Sequence, residues 1–162
     1  GSGLLHPFTG LDHLLAMVAV GIVAATPAER RSTLLAPGAF LVGMLLGGLA
    51  GMAGVAVPGA EVLIAGSVIL LGLAVAGAVE TKGRAFAPVL ALLALAGVAH
   101  GHAHGAEAPL SVHPALYVAG FLAASASLHA VGAGIGTVIR DRRTVRLGLG
   151  LTTVAAGALL LV

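Results

Sequence analysis

The sequence predicts an all-α, polytopic membrane protein whose six transmembrane helices form a compact bundle. Two observations predict this class. Hydrophobic residues make up 59% of the 162 residues and charged residues only 9%, whereas a soluble globular chain has about 25% charged residues. Apolar runs long enough to cross a bilayer, about 20 residues each, also follow one another along the whole chain. The surrounding solvent is therefore expected to be lipid.

Six apolar runs are separated by short segments with turn-forming or charged residues. Residues 1–3 are interpreted as a cloning remnant, and residues 4–162 as a single transmembrane domain. Because the connections are short, helices that are neighbours in sequence are expected to pack antiparallel. The predicted spans are residues 4–26, 34–57, 61–81, 86–107, 115–139 and 146–162.

The eight Lys and Arg residues predict the orientation of the bundle. All of them fall in the first, third and fifth connections, and the second and fourth connections have none. Lys and Arg are retained on the cytoplasmic side, so both termini are expected outside. A cleaved signal peptide ahead of the chain is the expected means of translocating the first helix. The cations are Arg30, Arg31, Lys82, Arg84, Arg140, Arg142, Arg143 and Arg146.

Composition also excludes some functions. The chain has no cysteine, so a disulfide framework and a thiolate metal site are both excluded. A net charge of +2 spread over short loops is not a basic patch, so no nucleic-acid partner is expected. No segment resembles an ATP-binding loop, so any transport would not use nucleotide hydrolysis by this chain.

Glycines repeat every fourth residue at Gly43, Gly47 and Gly51 and again at Gly132 and Gly136. This spacing lets helix backbones approach closely. Packing within one bundle is favoured over a dimer interface, and the oligomeric state stays open.

The first span opens with two histidines on nearly one helical face, His6 and His13, seven residues apart. Ionisable groups inside a membrane span are costly, so each one is a functional hypothesis. Asp12 lies about 100° from His13 on the helical wheel. It is predicted either to bind a metal ion or to orient a ligating imidazole.

The fourth span ends with His100, His104 and Glu107, which share one face within about 40°. His102 points to the opposite side. With the N-terminus outside, His13 and His100 lie at similar depths, about 13 and 10 Å below the outer boundary. The two motifs are therefore expected to form one cluster in the outer half of the bundle.

Two further histidines follow in the fifth span and before it. His129 lies about 20 Å deep and is a candidate for the next ligand on an inward path. The alternative is a hydrogen bond to Ser125, to Ser127 or to a backbone carbonyl. His113 precedes Pro114 and is expected to mark a helix start, where proline is favoured.

The octapeptides H-P-F-T-G-L-D-H at 6–13 and H-G-H-A-H-G-A-E at 100–107 resemble the paired motifs of the HupE/UreJ family of bacterial membrane proteins, and the resemblance covers essentially the whole chain. It implies a secondary permease, not an enzyme. The expected cargo is Ni²⁺, or Co²⁺, taken up across the inner membrane for hydrogenase or urease maturation. Ala99 stands where the family has an aromatic residue. The family's motif residues correspond here to His6, Asp12, His13, His100, His104 and Glu107.

Imidazole and carboxylate donors without thiolate suit divalent nickel, cobalt or zinc and disfavour cuprous copper. No prosthetic group is expected, and the predicted metal ligands are the six motif residues together with His129. One rival is an electron-transfer protein in which His13 and His100 hold haem from two helices, although Asp12 and Glu107 then have no role. The other is a zinc-binding membrane metalloenzyme, although H-E-x-x-H is absent.

Overall fold

The computed structural model describes residues 10–25, 30–77 and 86–162, and over these ranges the chain forms helices without strands. This confirms the all-α class for the described residues. The helices are α1 (Leu11–Ala25), α2 (Arg30–Met52), α3 (Ala60–Ala76), α4 (Phe86–Ala106), α5 (Pro114–Ile139) and α6 (Arg143–Leu159).

Within the described ranges, three helical segments are long and apolar enough to cross a membrane, namely Thr33–Met52, Phe86–Ala106 and Pro114–Ile139. α1 and α3 are apolar but shorter, with 15 and 17 described residues. The predicted first span, 4–26, begins and ends outside the described residues. Large aliphatic side chains are exposed along the helices, as expected of a surface that faces lipid; they include Leu46, Leu49, Leu70, Leu95, Val131 and Leu151.

Helix ends are set by glycine and proline. α2 and α3 end at Met52 and Ala76, about five residues before the predicted boundaries. The residues that follow include Gly54 and Gly77, whose φ values of 72° and 86° are left-handed and typical of a helix C-terminus. α5 begins at Pro114 with His113 as its N-cap, which confirms the predicted helix start.

The most extensive contacts join α2 with α4, α1 with α5, and α3 with α6. The most extensive packing pairs are therefore not neighbours in sequence. Small residues explain the partner choice, because they let two backbones touch. A Cβ at Gly43, Gly47 or Gly51 would overlap a backbone carbonyl oxygen of α4.

The contact between α2 and α4 is reciprocal. A Cβ at Gly97, Gly101 or Gly105 of α4 would in turn overlap a carbonyl oxygen of α2. The partner residues ascend together along both helices, so α2 and α4 run parallel. Gly132 and Gly136 of α5 pack against α1 in the same way. The predicted role of these glycines in packing within the bundle is thus confirmed.

Two arginines bind the C-terminal ends of three helices. Arg140 donates from Nη2 to the carbonyl oxygen of Ala25, the last residue of α1, at 3.1 Å. Arg146 donates to the carbonyl oxygens of Val75 near the end of α3 and of Arg140 after α5, at 3.3 and 3.4 Å. The last carbonyl groups of a helix have no partner inside that helix, and a cation near a helix C-terminus also interacts favourably with the helix dipole.

Candidate metal-binding cavity

One cavity of about 220 Å³ brings the two sequence motifs together. The first turn of α1 contributes Asp12 and His13. The C-terminal turns of α4 contribute His100 and His104, and Glu107 follows directly after that helix. The remaining lining residues are Gly10, Ile64 and Ala103.

The imidazole of His13 contacts both other imidazoles of the cavity. The ring centroids of His13 and His104 are 4.3 Å apart, and those of His13 and His100 are 5.7 Å apart. All three residues are buried, with exposed fractions of 1% for His13 and His100 and 7% for His104. His13 therefore forms one cluster with two histidines that lie 87 or more positions later in the sequence. Their similar predicted depths are consistent with this.

Each imidazole is held by at least one hydrogen bond. His13 Nε2 lies 3.0 Å from Ser125 Oγ of α5, and His13 Nδ1 lies 2.8 Å from His104 Nε2. His100 Nε2 lies 3.0 Å from Ser67 Oγ of α3. The cluster is thus built from four helices.

The charge of the cavity favours a cation. Its ionisable lining consists of two carboxylates and three imidazoles, and no Lys or Arg among the described residues lines it. Asp12 is partly exposed and Glu107 exposed, so the carboxylates lie toward the open side and the histidines toward the interior. A divalent ion approaching this opening meets the negative groups first.

Two further hydrogen bonds involve the C-terminal part of α4, next to the cluster. His102 is directed away from the cavity, as its helical position predicts, and its Nε2 donates to the carbonyl oxygen of Val55 at 2.6 Å. Tyr117 of α5 donates its hydroxyl to the carbonyl oxygen of His104 at 3.0 Å, which fixes the end of α4 against α5.

His129 lies deeper in the bundle and does not line the cavity. It is 3% exposed, and neither ring nitrogen has a hydrogen-bond partner among the described residues. The serines that could have bonded to it instead donate to the carbonyl oxygens of Phe121 and Ala123. The ring of Phe40 contacts both His129 and His100, with centroid distances of 5.6 Å to each.

Five of the seven predicted ligands therefore surround one cavity, one lies deeper, and His6 lies outside the described residues. Within the described ranges, the His, Asp and Glu side chains form no group of three or more already arranged to hold a metal ion. One reason is that His13 and His104 are hydrogen-bonded to each other. Sequence reasoning missed Ser67 and Phe40, for which the only signal was a polar or aromatic residue within an apolar run.

The helices and the cavity define a class: an all-helical protein with membrane-length apolar helices and a buried cluster of histidines beside carboxylates. The chain belongs to the HupE/UreJ family, because the family model described as HupE / UreJ protein matches residues 1–160. It is similar to Protein HupE of Rhizobium leguminosarum bv. viciae, with 42% identity over 160 residues, which cover 99% of this chain and 80% of that protein. No solved structure matches significantly. The family resemblance is thereby confirmed.

Proposed function

We propose that the chain is a secondary permease that imports a divalent transition-metal ion, Ni²⁺ or Co²⁺, across the bacterial inner membrane. The observation that carries this proposal is the convergence of Asp12, His13, His100, His104 and Glu107 on one cavity. Imidazole and carboxylate donors suit these ions. Membership of the HupE/UreJ family supports the same substrate class and a role in supplying hydrogenase or urease.

The proposed topology has six spans with both termini and the cavity on the external side. The distribution of cations supports it, since Arg140 and Arg146 cap the helix ends that lie opposite the cavity. α1 starts at the cavity and ends at Arg140, so the two features lie at opposite ends of one helix. The retained cations then face the cytoplasm.

The proposed path leads from the cavity past Phe40 to His129. Phe40 is fully buried, and its ring contacts both His100 of the outer cluster and the deeper His129, so an ion moving from one histidine to the other would pass this ring. A buried polar atom without a partner costs about 1–3 kcal/mol. Both ring nitrogens of His129 are in this state, so a passing ion would gain a ligand there.

Neither rival function is supported. The cavity of about 220 Å³ is smaller than the pockets of about 300–1,000 Å³ that hold drug-sized ligands, and haem is larger than such ligands. Both ring nitrogens of His13 are also hydrogen-bonded, to Ser125 and to His104, so neither is open to a haem iron in this arrangement. For a metalloenzyme, neither the family match nor the sequence offers a catalytic motif.

The test is metal uptake by the purified chain in proteoliposomes, with binding measured by isothermal titration of Ni²⁺, Co²⁺ and Zn²⁺. His104→Gln and Glu107→Gln should abolish uptake and weaken binding, because each removes a donor of the cavity. His102→Gln is the matched control on the same helix, and it should retain uptake because His102 is directed toward Val55. Equal loss in all three variants would indicate folding damage, and equal retention would refute the proposal.

A further inference from the structure

Two buried serines have hydroxyl hydrogens that are already committed to the backbone. Ser67 donates its hydroxyl to the carbonyl oxygen of Ile64 at 2.7 Å, and Ser125 donates to that of Phe121 at 2.8 Å. Their exposed fractions are 7% and 0%. Because a serine hydroxyl has a single hydrogen, each Oγ can only accept any further hydrogen bond.

The further partner of each serine is a histidine of the cavity. His100 Nε2 lies 3.0 Å from Ser67 Oγ, and His13 Nε2 lies 3.0 Å from Ser125 Oγ. Since the serine oxygens accept, both Nε2 atoms must carry the hydrogen. A neutral imidazole has one protonated nitrogen and one lone-pair nitrogen, so Nδ1 is the lone-pair atom of both rings.

The same reasoning extends to the third imidazole. His104 Nε2 lies 2.8 Å from His13 Nδ1, and that Nδ1 can only accept. His104 Nε2 is therefore the donor, and its Nδ1 is the lone-pair nitrogen. The hydrogen bonds run in one direction from His104 through His13 and Ser125 to the carbonyl oxygen of Phe121. One serine thus sets the tautomer of two histidines.

We propose that Ser67 and Ser125 are positioning residues that hold His100 and His13 in the Nε2-protonated tautomer, so that each ring presents Nδ1 as the ligand for a divalent cation. The ligand part of this inference rests on the proposed function. Groups that hydrogen-bond the second nitrogen of a ligating histidine fix its tautomer and orientation, and their loss typically costs about 10–100-fold in metal affinity. Here the two groups come from α3 and α5, which contribute no ionisable ligand to the cavity.

Ser127 provides a matched control on α5. It donates to the carbonyl oxygen of Ala123 at 2.8 Å, four residues back, as Ser125 does to Phe121. It is exposed and lies away from the cavity. Ser127→Ala therefore removes the same hydroxyl-to-backbone bond without touching a histidine.

The experiment is nuclear magnetic resonance of the full chain labelled with ¹⁵N-histidine, in nanodiscs at alkaline pH and without metal. Long-range ¹H–¹⁵N spectra distinguish protonated from lone-pair ring nitrogens, and His13→Gln and His100→Gln assign the signals. In the wild type both residues should show the Nε2-protonated form. Ser125→Ala should give a tautomer mixture at His13 and, through the hydrogen bond between the two rings, at His104. Ser67→Ala should give one at His100 only.

Nickel titration of the same variants gives the second measurement. Ser67→Ala and Ser125→Ala should weaken Ni²⁺ binding about 10–100-fold, and Ser127→Ala should leave the affinity unchanged. Ser67→Thr should bind Ni²⁺ as the wild type does, because the threonine hydroxyl makes the same hydrogen bond to the backbone. Unchanged histidine spectra in both alanine variants, or equal changes in Ser127→Ala, would overturn the proposal. If the wild type binds no divalent cation, the proposed function and the ligand part fail together, whereas the spectra alone decide the tautomer part.

Discussion

Replacing Gly47 with alanine should destabilise the protein even though alanine is the better helix former. Alanine is favoured over glycine in a helix interior by about 0.5–1 kcal/mol. At Gly47, however, a Cβ would overlap the carbonyl oxygen of Val98 and lie 2.8 Å from its carbonyl carbon. Carbon atoms in contact are about 3.5–4.0 Å apart, and no rotamer change relieves an overlap with backbone. α2 and α4 must therefore separate by about 1 Å.

The magnitude follows from two opposing terms. Overpacking of this kind costs about 1–3 kcal/mol, and subtracting the helix-propensity gain of about 0.5–1 kcal/mol leaves a net loss of up to about 2.5 kcal/mol. Gly38 lies on the same helix, and a Cβ there meets nothing within 4 Å. Gly38→Ala should therefore gain up to about 1 kcal/mol. The two substitutions are chemically identical and should have opposite signs.

The assay is thermal unfolding of the purified chain in detergent, followed by far-ultraviolet circular dichroism, with Ni²⁺ affinity as a second measurement. His100 and His104 lie on α4, so Gly47→Ala, which displaces α4 from α2, should also weaken Ni²⁺ binding. Gly38→Ala should leave Ni²⁺ binding unchanged. If Gly47→Ala were as stable as the wild type, the close backbone contact between α2 and α4 could not be what sets their packing.

Three further predictions concern the ends and the interior of the bundle. A reporter fused after Arg142 should be cytoplasmic and one fused at Pro109 external; the reverse labelling would refute the topology. Arg146→Met should lower the free energy of unfolding by about 1–3 kcal/mol through loss of hydrogen bonds from a charged group, whereas exposed Arg142→Met should change it by less than about 0.5 kcal/mol. His129→Ala should slow Ni²⁺ uptake more than it weakens binding, and an unchanged rate with intact binding would exclude the path through α5.

The helices could be predicted from the sequence because each apolar run is a local property of the chain. The partner of each helix could not be. Gly43 and Gly47 indicated that α2 packs closely against another backbone, but only the structure shows that the partner is α4, which has its own glycines at matching positions. The predicted end of a helix lay too far along the chain where a glycine with left-handed φ, such as Gly77, ends the helix inside an apolar run.

The candidate site, too, could be predicted only in part from the sequence. Asp12, His100 and Glu107 could be singled out because ionisable residues in an apolar run are exceptional. Ser125 was weighed as a partner of His129, but it accepts from His13. Helical periodicity places a side chain on a face of its own helix and does not specify which neighbouring helix that face meets. Whether a neutral residue lies beside the site depends on how the other helices pack, so the sequence alone could not show it.

The packing also determines where the cavity can change shape. Backbones touch within the pairs α1–α5 and α2–α4, so neither pair can slide without atomic overlap. The cavity lies between these pairs and α3. The His13–His104 hydrogen bond joins the two pairs, and the His100–Ser67 bond joins one of them to α3. An ion that takes the lone pair of His13 Nδ1 replaces the first of these bonds. If the proposed site binds an ion in this way, binding would replace a hydrogen bond between the two helix pairs and leave the close contacts within each pair intact.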